Sequence, residues 1–382
     1  MTLNVESTIL KHFDELEDPR IERTKQHQLI DIVALAILAV LAGADGWTAI
    51  ETYGQAKLEW LRQFLELPNG IPSHDTIARV FSRLEPQAFE QCFLNWMASI
   101  TQALGAQVIP IDGKQLRQSF DRKQGQQAIQ IVSAWGSQHR VVLGQVKVDA
   151  KSNEITAIPK LLEMLSIRGC IVTIDAMGCQ KEIATQIIDK QADYVLALKG
   201  NQGKLYQQVS QQVSDWFEQA RHREFRDMEH SYYTTTCSGH GRIEIRQCWS
   251  VPVSALGQLA HHEQWSGLKI VGIVVCKRRL WNKTTVEVRF YISSLENNAQ
   301  VLADAVRSHW GIENCLHWVL DVTFNEDATR IRKDHAPENF ALLRHLALNL
   351  LNRDKSVKGS LRQKRYRAWL DNNYLVKVIS SI

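Results

Sequence analysis

The order of short β-branched runs and helical patterns after Gly105 most constrains the fold of this chain. Three strand-like runs come first, AQVIPIDG, AIQIVSAWGS and RVVLGQVKVD, separated by polar or glycine-containing segments. Such runs are typical of strands joined by short turns. A helical pattern that ends at Gly169 follows, and then the run CIVTIDAMG, the helical pattern KEIATQIIDKQ and the run DYVLALKG. The predicted order is therefore β-β-β-α-β-α-β.

This order predicts the fold class. Three strands joined by hairpins, followed by two helical crossovers to further strands, is the order of a ribonuclease H-like sheet whose later strands are parallel. Residues 1–100 carry helical patterns, and residues 203–298 carry a polar helix followed by four strand-like runs. We therefore predict an α/β protein with a ribonuclease H-like mixed sheet core, a β-rich insertion and a helical N-terminal domain.

Composition and charge narrow the class of protein. Of 382 residues, 45% are hydrophobic and 23% are charged, which is typical of a folded globular chain, and a net charge of +4 is too small to indicate a polyanionic partner. Seven cysteines without a CxxC pair argue against a disulfide framework and a zinc ribbon, so we expect a reducing cytoplasm. The apolar run at 29–43 contains Asp31 and is shorter than the roughly 20 residues that span a bilayer. We expect a buried helix there, and neither a signal peptide nor a membrane span.

Two carboxylates end predicted strands of the core. Asp112 follows the first strand and Asp175 follows the fourth, and the predicted topology makes these two strands neighbours. Side chains at the carboxyl ends of adjacent parallel strands meet at one edge of a sheet, where α/β proteins place ligands. Each aspartate alone is also a common turn residue. Together they predict a site for Mg²⁺ or Mn²⁺, because paired carboxylates without Cys or His select hard cations.

A two-metal site needs a further acid, and the best candidate is Glu313. It lies in the helical pattern SHWGIENCLHWVLDV, where His309 and His317 are four residues away on either side. An acid on a largely apolar helical face is costly to bury unless it is paired or bound to metal. The two histidines are also compatible with a zinc site or with simple packing. Three acids near the end of this pattern are alternatives for the third ligand: Asp321, Glu326 and Asp327.

Several long motifs resemble one family. PIDGK, TIDAMGCQ, LKGNQ, SGHGRIEIR and HWGIENCLHWVLDVTFNED together resemble insertion-sequence transposases of the DDE class, in the H-repeat-associated group. The resemblance extends from HFDELEDPR to about Arg353, which is nearly the whole chain. It implies a ribonuclease H-like core with a β-strand insertion before the third acid. It also implies that Asp112, Asp175 and Glu313 form the DDE triad.

The resemblance carries a function with it. Such a transposase cuts DNA at the ends of its insertion sequence and joins the freed 3′-OH to target DNA by two-metal chemistry. It would use two Mg²⁺ ions per site, for which Mn²⁺ can substitute. Its partner is double-stranded DNA, both the inverted-repeat ends and the target, and it would form a dimer in the synaptic complex, in the cytoplasm and on the nucleoid. Alternatives are a catalytically inactive DNA-binding relic and a metal-dependent nuclease or phosphatase.

We expect five segments along the chain. They are a helical N-terminal domain at 1–100, the first part of the catalytic core at 105–202, the insertion at 203–298, the rest of the core at 299–352 and a basic tail at 353–382. The N-terminal domain is a candidate for binding DNA ends, because a helix at 76–84 carries Arg79 and Arg83 four residues apart. The alternative is a packing helix with a basic edge. The tail has seven basic residues and one acid between 353 and 367, which suits phosphate binding or a solvated helix.

Three groups of residues are predicted to contact DNA. Polar groups just beyond strand ends, on the edge that carries the acids, are Lys114, Lys199, Asn201 and Gln202. Basic and aromatic groups of the insertion, taken together with the KRR run at 277–279, are His240, Arg242 and Trp249. For Trp249 the alternative is a core residue. Candidates beside the third acid are Arg307, His309 and His317. Cys237 and Cys248 near His240 do not match a standard zinc pattern.

The third group reflects a departure from related transposases. Those with the same inserted β domain carry Tyr, Arg and Lys around the third acid, with Arg four residues before it and Lys seven after it. Here Val306, His309 and Leu320 occupy these positions. The DNA-phosphate roles of the usual companions therefore do not transfer to this chain, and Arg307, His309 or His317 would have to replace them.

Overall fold

The computed structural model describes residues 8–101, 105–121, 125, 127–223, 228–239, 241–257, 259 and 262–380. The helices, in chain order, are α1 (Leu29–Leu41), α2 (Trp47–Leu61), α3 (His74–Arg83), α4 (Pro86–Thr101), α5 (Glu154–Met164), α6 (Lys181–Asp189), α7 (Gly203–Arg223), α8 (Ala299–Ile312), α9 (Trp318–Phe324), α10 (Ala336–Arg353), α11 (Leu361–Leu370) and α12 (Asn372–Ile379). The strands are β1 (Val108–Gln115), β2 (Gln130–Gly136), β3 (Val141–Lys147), β4 (Ile171–Ile174), β5 (Asp193–Leu198), β6 (Ser231–Gly239), β7 (Arg242–Pro252), β8 (Ile270–Leu280) and β9 (Lys283–Ser293).

The chain divides into two compact units. The helical unit comprises Met1–Gly105, Gly113–Asn153 and Glu313–Ile382, and the sheet unit comprises Ala106–Asp112 and Glu154–Ile312. The order of strands and helices from β1 to β5 is the predicted β-β-β-α-β-α-β order. Together with the helices of residues 29–101, it confirms the predicted fold class. Among the described residues, no helix is long and apolar enough to cross a membrane.

The sheet unit is built on parallel strands. Val108–Ile111 of β1 pair in parallel with Ile171–Ile174 of β4, and the same residues of β4 pair in parallel with the first four residues of β5. The insertion continues this sheet, because β9 pairs antiparallel with β5 and is followed by β8, β7 and β6 in antiparallel order. The prediction that the first and fourth strands are neighbours, and that the insertion is β-rich, is confirmed.

The insertion strands are buried at one end and exposed at the other. In β8, residues 270–274 are buried and residues 277–280 are exposed, and β9 shows the matching reversal. Leu302 and Ala305 of α8 pack on one face of this sheet, with Cys248 and Val274 in the same core. The ends of β7, β8 and β9 that meet at residues 242, 280 and 283 are therefore largely exposed to solvent.

The apolar run at 29–43 forms the buried helix α1 of the helical unit, as predicted. Its Asp31 is 2% exposed and accepts the backbone N–H groups of Leu67 at 2.9 Å and Glu66 at 3.3 Å. Burial raises the pKa of Asp31. Two backbone N–H groups therefore find their hydrogen-bond acceptor in this buried acid, which is how its burial is tolerated.

The basic tail is more deeply packed than a solvated helix would be. Lys364 and Arg365 of α11 are 7% and 6% exposed. The Lys364 ammonium donates to the carbonyls of Leu351 and Asp354 at 2.8 and 2.5 Å, and Arg365 donates to the carbonyl of Val40 at 2.9 Å. Two of the seven basic residues thus hold the helical unit together instead of facing solvent.

The clearest departure from the predicted secondary structure is at Glu313. The apolar spacing predicts one continuous helix from residue 299 to about residue 322, but α8 ends at Ile312 and Glu313–His317 form a π-helical turn before α9. A π turn inserts one residue into the helical ladder, so the residues after it are rotated relative to those before it. Within the turn, the His317 side chain is 7% exposed and that of Glu313 is 55% exposed.

Glu90 on α4 makes the stability of the helical unit depend on pH. Burial raises its pKa to about 8, and its carboxyl accepts the N–H of Gln145 at 3.0 Å. An exposed glutamate releases its proton near pH 4.5. The unfolded chain therefore loses this proton first, and the free energy of unfolding falls as pH rises from about 4.5 to 8.

Glu90→Gln should remove most of this dependence while keeping an oxygen acceptor for Gln145. At about 1.4 kcal/mol per pKa unit, we expect the wild type to lose on the order of 3–4 kcal/mol over this range relative to the variant. Urea unfolding at a series of pH values measures the difference. Parallel curves for the two proteins would contradict it.

Candidate functional site

Asp112 and Asp175 lie side by side at the edge of the sheet unit. Ile111 of β1 pairs with Ile174 of β4 in parallel register, and each aspartate is the next residue of its chain segment. Both side chains belong to residues of intermediate exposure. Parallel strands bring their carboxyl ends to the same edge, so two oxygen ligands for a cation are available there.

The loop after β4 fixes Asp175. One carboxylate oxygen of Asp175 accepts the N–H groups of Met177 at 2.9 Å and Gly178 at 3.3 Å. Glu154, at the start of α5, is buried, and its pKa is raised by that burial and by the negative charge of Asp175. The carboxylate oxygens at this edge are the type of donor that Mg²⁺ and Mn²⁺ prefer.

The last turn of α8 is held against β4. The His309 ring nitrogen Nδ1 and the Thr173 hydroxyl are 3.0 Å apart, and Thr173 is two residues before Asp175 in the chain. The Arg289 guanidinium of β9 lies over the Trp310 ring at 4.7 Å. His309 thus has a partner within the sheet unit, and it orients the end of the helix that leads into Glu313.

Glu313 begins the π-helical turn in the helical unit. Its carboxylate lies 3.5 Å from Nδ1 of His317, whose pKa is lowered by burial. π-helical turns are rare and are frequent at functional sites. The sequence analysis selected Glu313 but did not foresee this turn, because the apolar spacing continues through it without interruption.

Lys114 and the three alternative acids form one charged cluster in the helical unit. The Lys114 ammonium lies 2.6 Å from Asp321, 3.1 Å from Asp327 and 3.2 Å from Glu326, and its side chain is 11% exposed. Burial opposes the charged form, but the three carboxylates outweigh it and raise the pKa of Lys114. Glu326 also contacts the buried guanidinium of Arg344 at 3.4 Å. These acids are therefore neutralised by internal cations, whereas Glu313 is paired with a histidine.

Comparison with known protein families agrees with this arrangement. A family model described as "Transposase DDE domain" matches residues 103–350, and one described as "DDE_Tnp_1-associated" matches residues 10–97. The chain belongs to the DDE transposase family. Asp112, Asp175 and Glu313 all lie within the matched transposase domain.

Similar proteins place the chain in the H-repeat-associated group of this family. "H repeat-associated putative transposase YhhI" of Escherichia coli (strain K12) is 42% identical over 378 residues, covering 97% of each chain. "Putative transposase YncI" of Escherichia coli O157:H7 is 42% identical over 378 residues, covering 98% of this chain and 95% of that protein. A short relative, "Inactive transposase YbfQ" of strain K12, is 44% identical over 75 residues, covering 20% of this chain and 89% of that protein.

The LKGNQ motif of this DDE transposase supports the loop that follows Asp175. The Asn201 side chain donates to the carbonyl of Ala176, and the Gln202 side chain donates to the carbonyl of Cys179 at 2.8 Å. Lys199, at the end of β5, is exposed. Two of the predicted DNA-contacting side chains therefore have partners within the sheet unit, and Lys199 presents its charge to solvent.

Trp249 is a core residue, the alternative to the predicted DNA contact, and the exposed tryptophan of the insertion is a different one. Trp249 is 9% exposed and packs against the rings of Phe217 and Tyr232, with centroids 5.2 and 5.0 Å away. Trp281, in the turn between β8 and β9, is 92% exposed. The segment KRRLWNK, which places this tryptophan among basic residues between two strand-like runs, is the sequence signal that would have found it.

The other predicted residues of the insertion do not form one cluster among the described residues. Arg242 is exposed opposite Leu280 of β8, and His240 lies outside the described residues. Cys237 of β6 lies opposite Glu244 of β7 in the strand register, and Glu244 is four residues before Cys248. At about 3.4 Å per residue this spacing is too long for the two thiols to share a zinc ion.

Proposed function

We propose that this DDE transposase cuts DNA at the ends of an insertion sequence and joins the freed 3′-OH to target DNA. The observation that carries the proposal is the position of Asp112 and Asp175, each directly after one residue of the pair Ile111 and Ile174 on neighbouring parallel strands. Family membership supplies the reaction class and implies a divalent metal. The proposed reaction has no covalent enzyme intermediate, because the acids serve as ligands and not as nucleophiles.

We assign Asp112, Asp175 and Glu313 as the residues that would hold two Mg²⁺ ions, for which Mn²⁺ can substitute. The donors are carboxylate oxygens, which are the ligands that these cations prefer. The chemistry supplied by such ions, when bound, would be activation of the attacking oxygen and stabilisation of the leaving oxygen in an in-line displacement. The chain's own contribution is to fix one oxygen of Asp175 through two backbone N–H groups.

Glu313 is the preferred third acid for two reasons. It directly follows Ile312, the last residue of α8, and that helix is anchored beside β4 through His309 and Thr173. The alternatives Asp321, Glu326 and Asp327 are engaged by Lys114 instead. A carboxylate that already neutralises a buried ammonium is a poor candidate for holding a metal ion.

We further propose that the DNA partner is the double-stranded inverted-repeat ends and the target, bound by a dimer in the synaptic complex. Three of the predicted cations are exposed and would supply phosphate contacts: Lys199, Arg242 and Arg307. Lys114, Asn201, Gln202, His309 and His317 would act by supporting the site, since each has a partner inside its own unit. The reaction would take place in the cytoplasm, on the nucleoid.

Divalent metal dependence is the direct test. The full chain is incubated with DNA that carries the sequence flanking this reading frame, with Mg²⁺, with Mn²⁺ or with EDTA, and strand ends are mapped on sequencing gels. We expect cleavage at the element boundary with either metal and none with EDTA. DNA binding without cleavage under both metals would instead identify an inactive DNA-binding relic. Cleavage at unrelated positions would favour a general nuclease.

A further inference from the structure

The helical unit contains a basic cleft, and its lining residues are distant in sequence from Asp112 and Asp175. It has a volume of about 400 Å³ and lies between α3 and the segment 330–336, which leads into α10. One acid, Asp75, lines the cleft. Its four cationic lining residues are Arg79, Arg330, Arg332 and Lys333. Of these residues, the sequence analysis singled out Arg79 alone, on a helix that could bind DNA ends; the other three cations were not predicted.

Three of the four cations are available to a ligand. Arg79, Arg330 and Lys333 are exposed, and none forms an ion pair within the described parts of the chain. Arg332 is anchored, because its Nε donates to the carbonyl of Gln118 at 2.9 Å and its guanidinium lies over a phenylalanine ring at 4.8 Å. The Asp75 side chain is 79% exposed and lies 3.7 Å from the His74 ring.

The walls of the cleft are fixed to each other. The Asn339 side chain of α10 donates to the carbonyls of Phe81 and Leu84, both at 2.9 Å, and so ties α10 to the end of α3. Trp47, which lines the cleft, stacks on Phe81 with centroids 5.4 Å apart and meets Phe340 edge-on at 4.9 Å. The cations therefore stand on a packed scaffold, and a ligand would find them in place.

The charge and chemistry of the cleft indicate an anion. A concave surface with four cations and one acid focuses positive potential. Guanidinium groups match phosphate geometry through bidentate hydrogen bonds, and lysine adds a point charge. The separate exposed cations suit successive phosphates of a polymer better than one enclosed small anion.

We propose that this cleft binds the phosphate backbone of duplex DNA without reading its sequence. The inference rests on the proposed function, since it takes DNA as the partner, and it assigns α3 a backbone-positioning role through Arg79. This role differs from base reading by α3, which would discriminate between sequences.

Salt-dependent binding tests the proposal. We would compare the full chain with the variant Arg79→Ala/Arg330→Ala/Lys333→Ala, using fluorescence anisotropy on the element-end duplex and on a random duplex, in EDTA. Each phosphate contact contributes about 0.9 to the slope of log K against log salt. We expect the slope to fall by about 2 to 3, and the affinity to fall on the order of 100-fold at 0.1 M salt, equally on both duplexes.

The matched control removes the same charge elsewhere in the helical unit. Lys11→Ala/Arg23→Ala/Arg62→Ala changes three exposed cations that do not line the cleft, and it should keep most of the wild-type slope. An equal loss in this control, or an unchanged slope in the cleft variant, would overturn the proposal. Should the triple variant fail to fold, each single substitution is expected to lower the slope by about 0.9.

Two further arms identify the ligand and separate this inference from the reaction. Calorimetric binding of inorganic pyrophosphate that is lost in the cleft variant, with an unchanged duplex slope, would assign the cleft to a free phosphate and overturn the DNA assignment. Loss of discrimination between the two duplexes would point to base reading and would also overturn it. Because the titrations are run without metal, the slope difference survives even if the chain proves unable to cut DNA.

Discussion

Asp112→Ala and Asp175→Ala should each lower DNA cleavage by at least about 1,000-fold, while the affinity for DNA stays within a few-fold of wild type. Carboxylates that hold catalytic cations contribute several kcal/mol to transition-state stabilisation, and about 4 kcal/mol corresponds to this factor. Binding persists because the proposed phosphate contacts lie on other residues. Single-turnover cleavage and anisotropy on the same preparations measure the two quantities.

Asp189→Ala is the matched control for the two aspartates. Asp189 is exposed at the end of α6 in the same unit and is not at a strand end of the sheet. We expect wild-type cleavage from this variant. Full cleavage by Asp112→Ala would refute the proposed catalytic role of that residue, and equal losses in all three variants would indicate a general effect of removing acids.

Glu313→Gln tests the third acid against its nearest rivals. The substitution keeps the size of the side chain and removes its charge, so cleavage should fall as far as in the two aspartate variants. Asp321→Asn should retain most of the activity, because Asp321 pairs with Lys114. Cleavage that survives Glu313→Gln but is lost in Asp321→Asn would move the third acid to Asp321.

Lys114→Ala should lower the free energy of unfolding by about 3–5 kcal/mol, which is the cost of removing one partner from a buried ion pair. The substitution leaves the carboxylates of Asp321, Glu326 and Asp327 without the ammonium that lies within 3.2 Å of each. Glu326 is 3% exposed and retains only Arg344 as a buried cationic contact among the described residues. Urea unfolding followed by circular dichroism measures the loss.

Lys269→Ala is the control for Lys114. Lys269 contacts Glu296 at 2.6 Å, but both side chains are at least half exposed, so the change should cost less than about 1 kcal/mol. The same experiment decides between the two roles of Lys114. A stable Lys114→Ala protein with a lower salt slope for DNA binding would restore the phosphate contact predicted from the sequence and contradict the internal role.

Local patterns in the sequence determined the secondary structure and, through it, half of the candidate site. β-branched runs and helical spacing depend on neighbouring residues, so the strand order, the buried helix α1 and the β-rich insertion follow from them. The sequence also predicted that β1 and β4 are neighbours, which their pairing confirms. Asp175 follows β4 as predicted, whereas β1 continues to Gln115, so Asp112 and Lys114 lie within that strand and only its parallel pairing ends at Ile111. The roles of these acids in catalysis stay predictions.

Only the tertiary structure decided which polar groups are already paired. Lys114 meets Asp327 across 213 residues of sequence, and no local pattern records such a partner. The same holds for Trp249, which is buried by α7 and β6 while Trp281 is left exposed, and for the basic cleft, which joins Arg79 to residues 330–333. Periodicity reports which face of an element is apolar, but the free energy of burying a charge depends on long-range contacts. The sequence therefore determined the fold and the adjacency of the strands that carry Asp112 and Asp175, and packing decided the turn at Glu313 and which cations remain exposed.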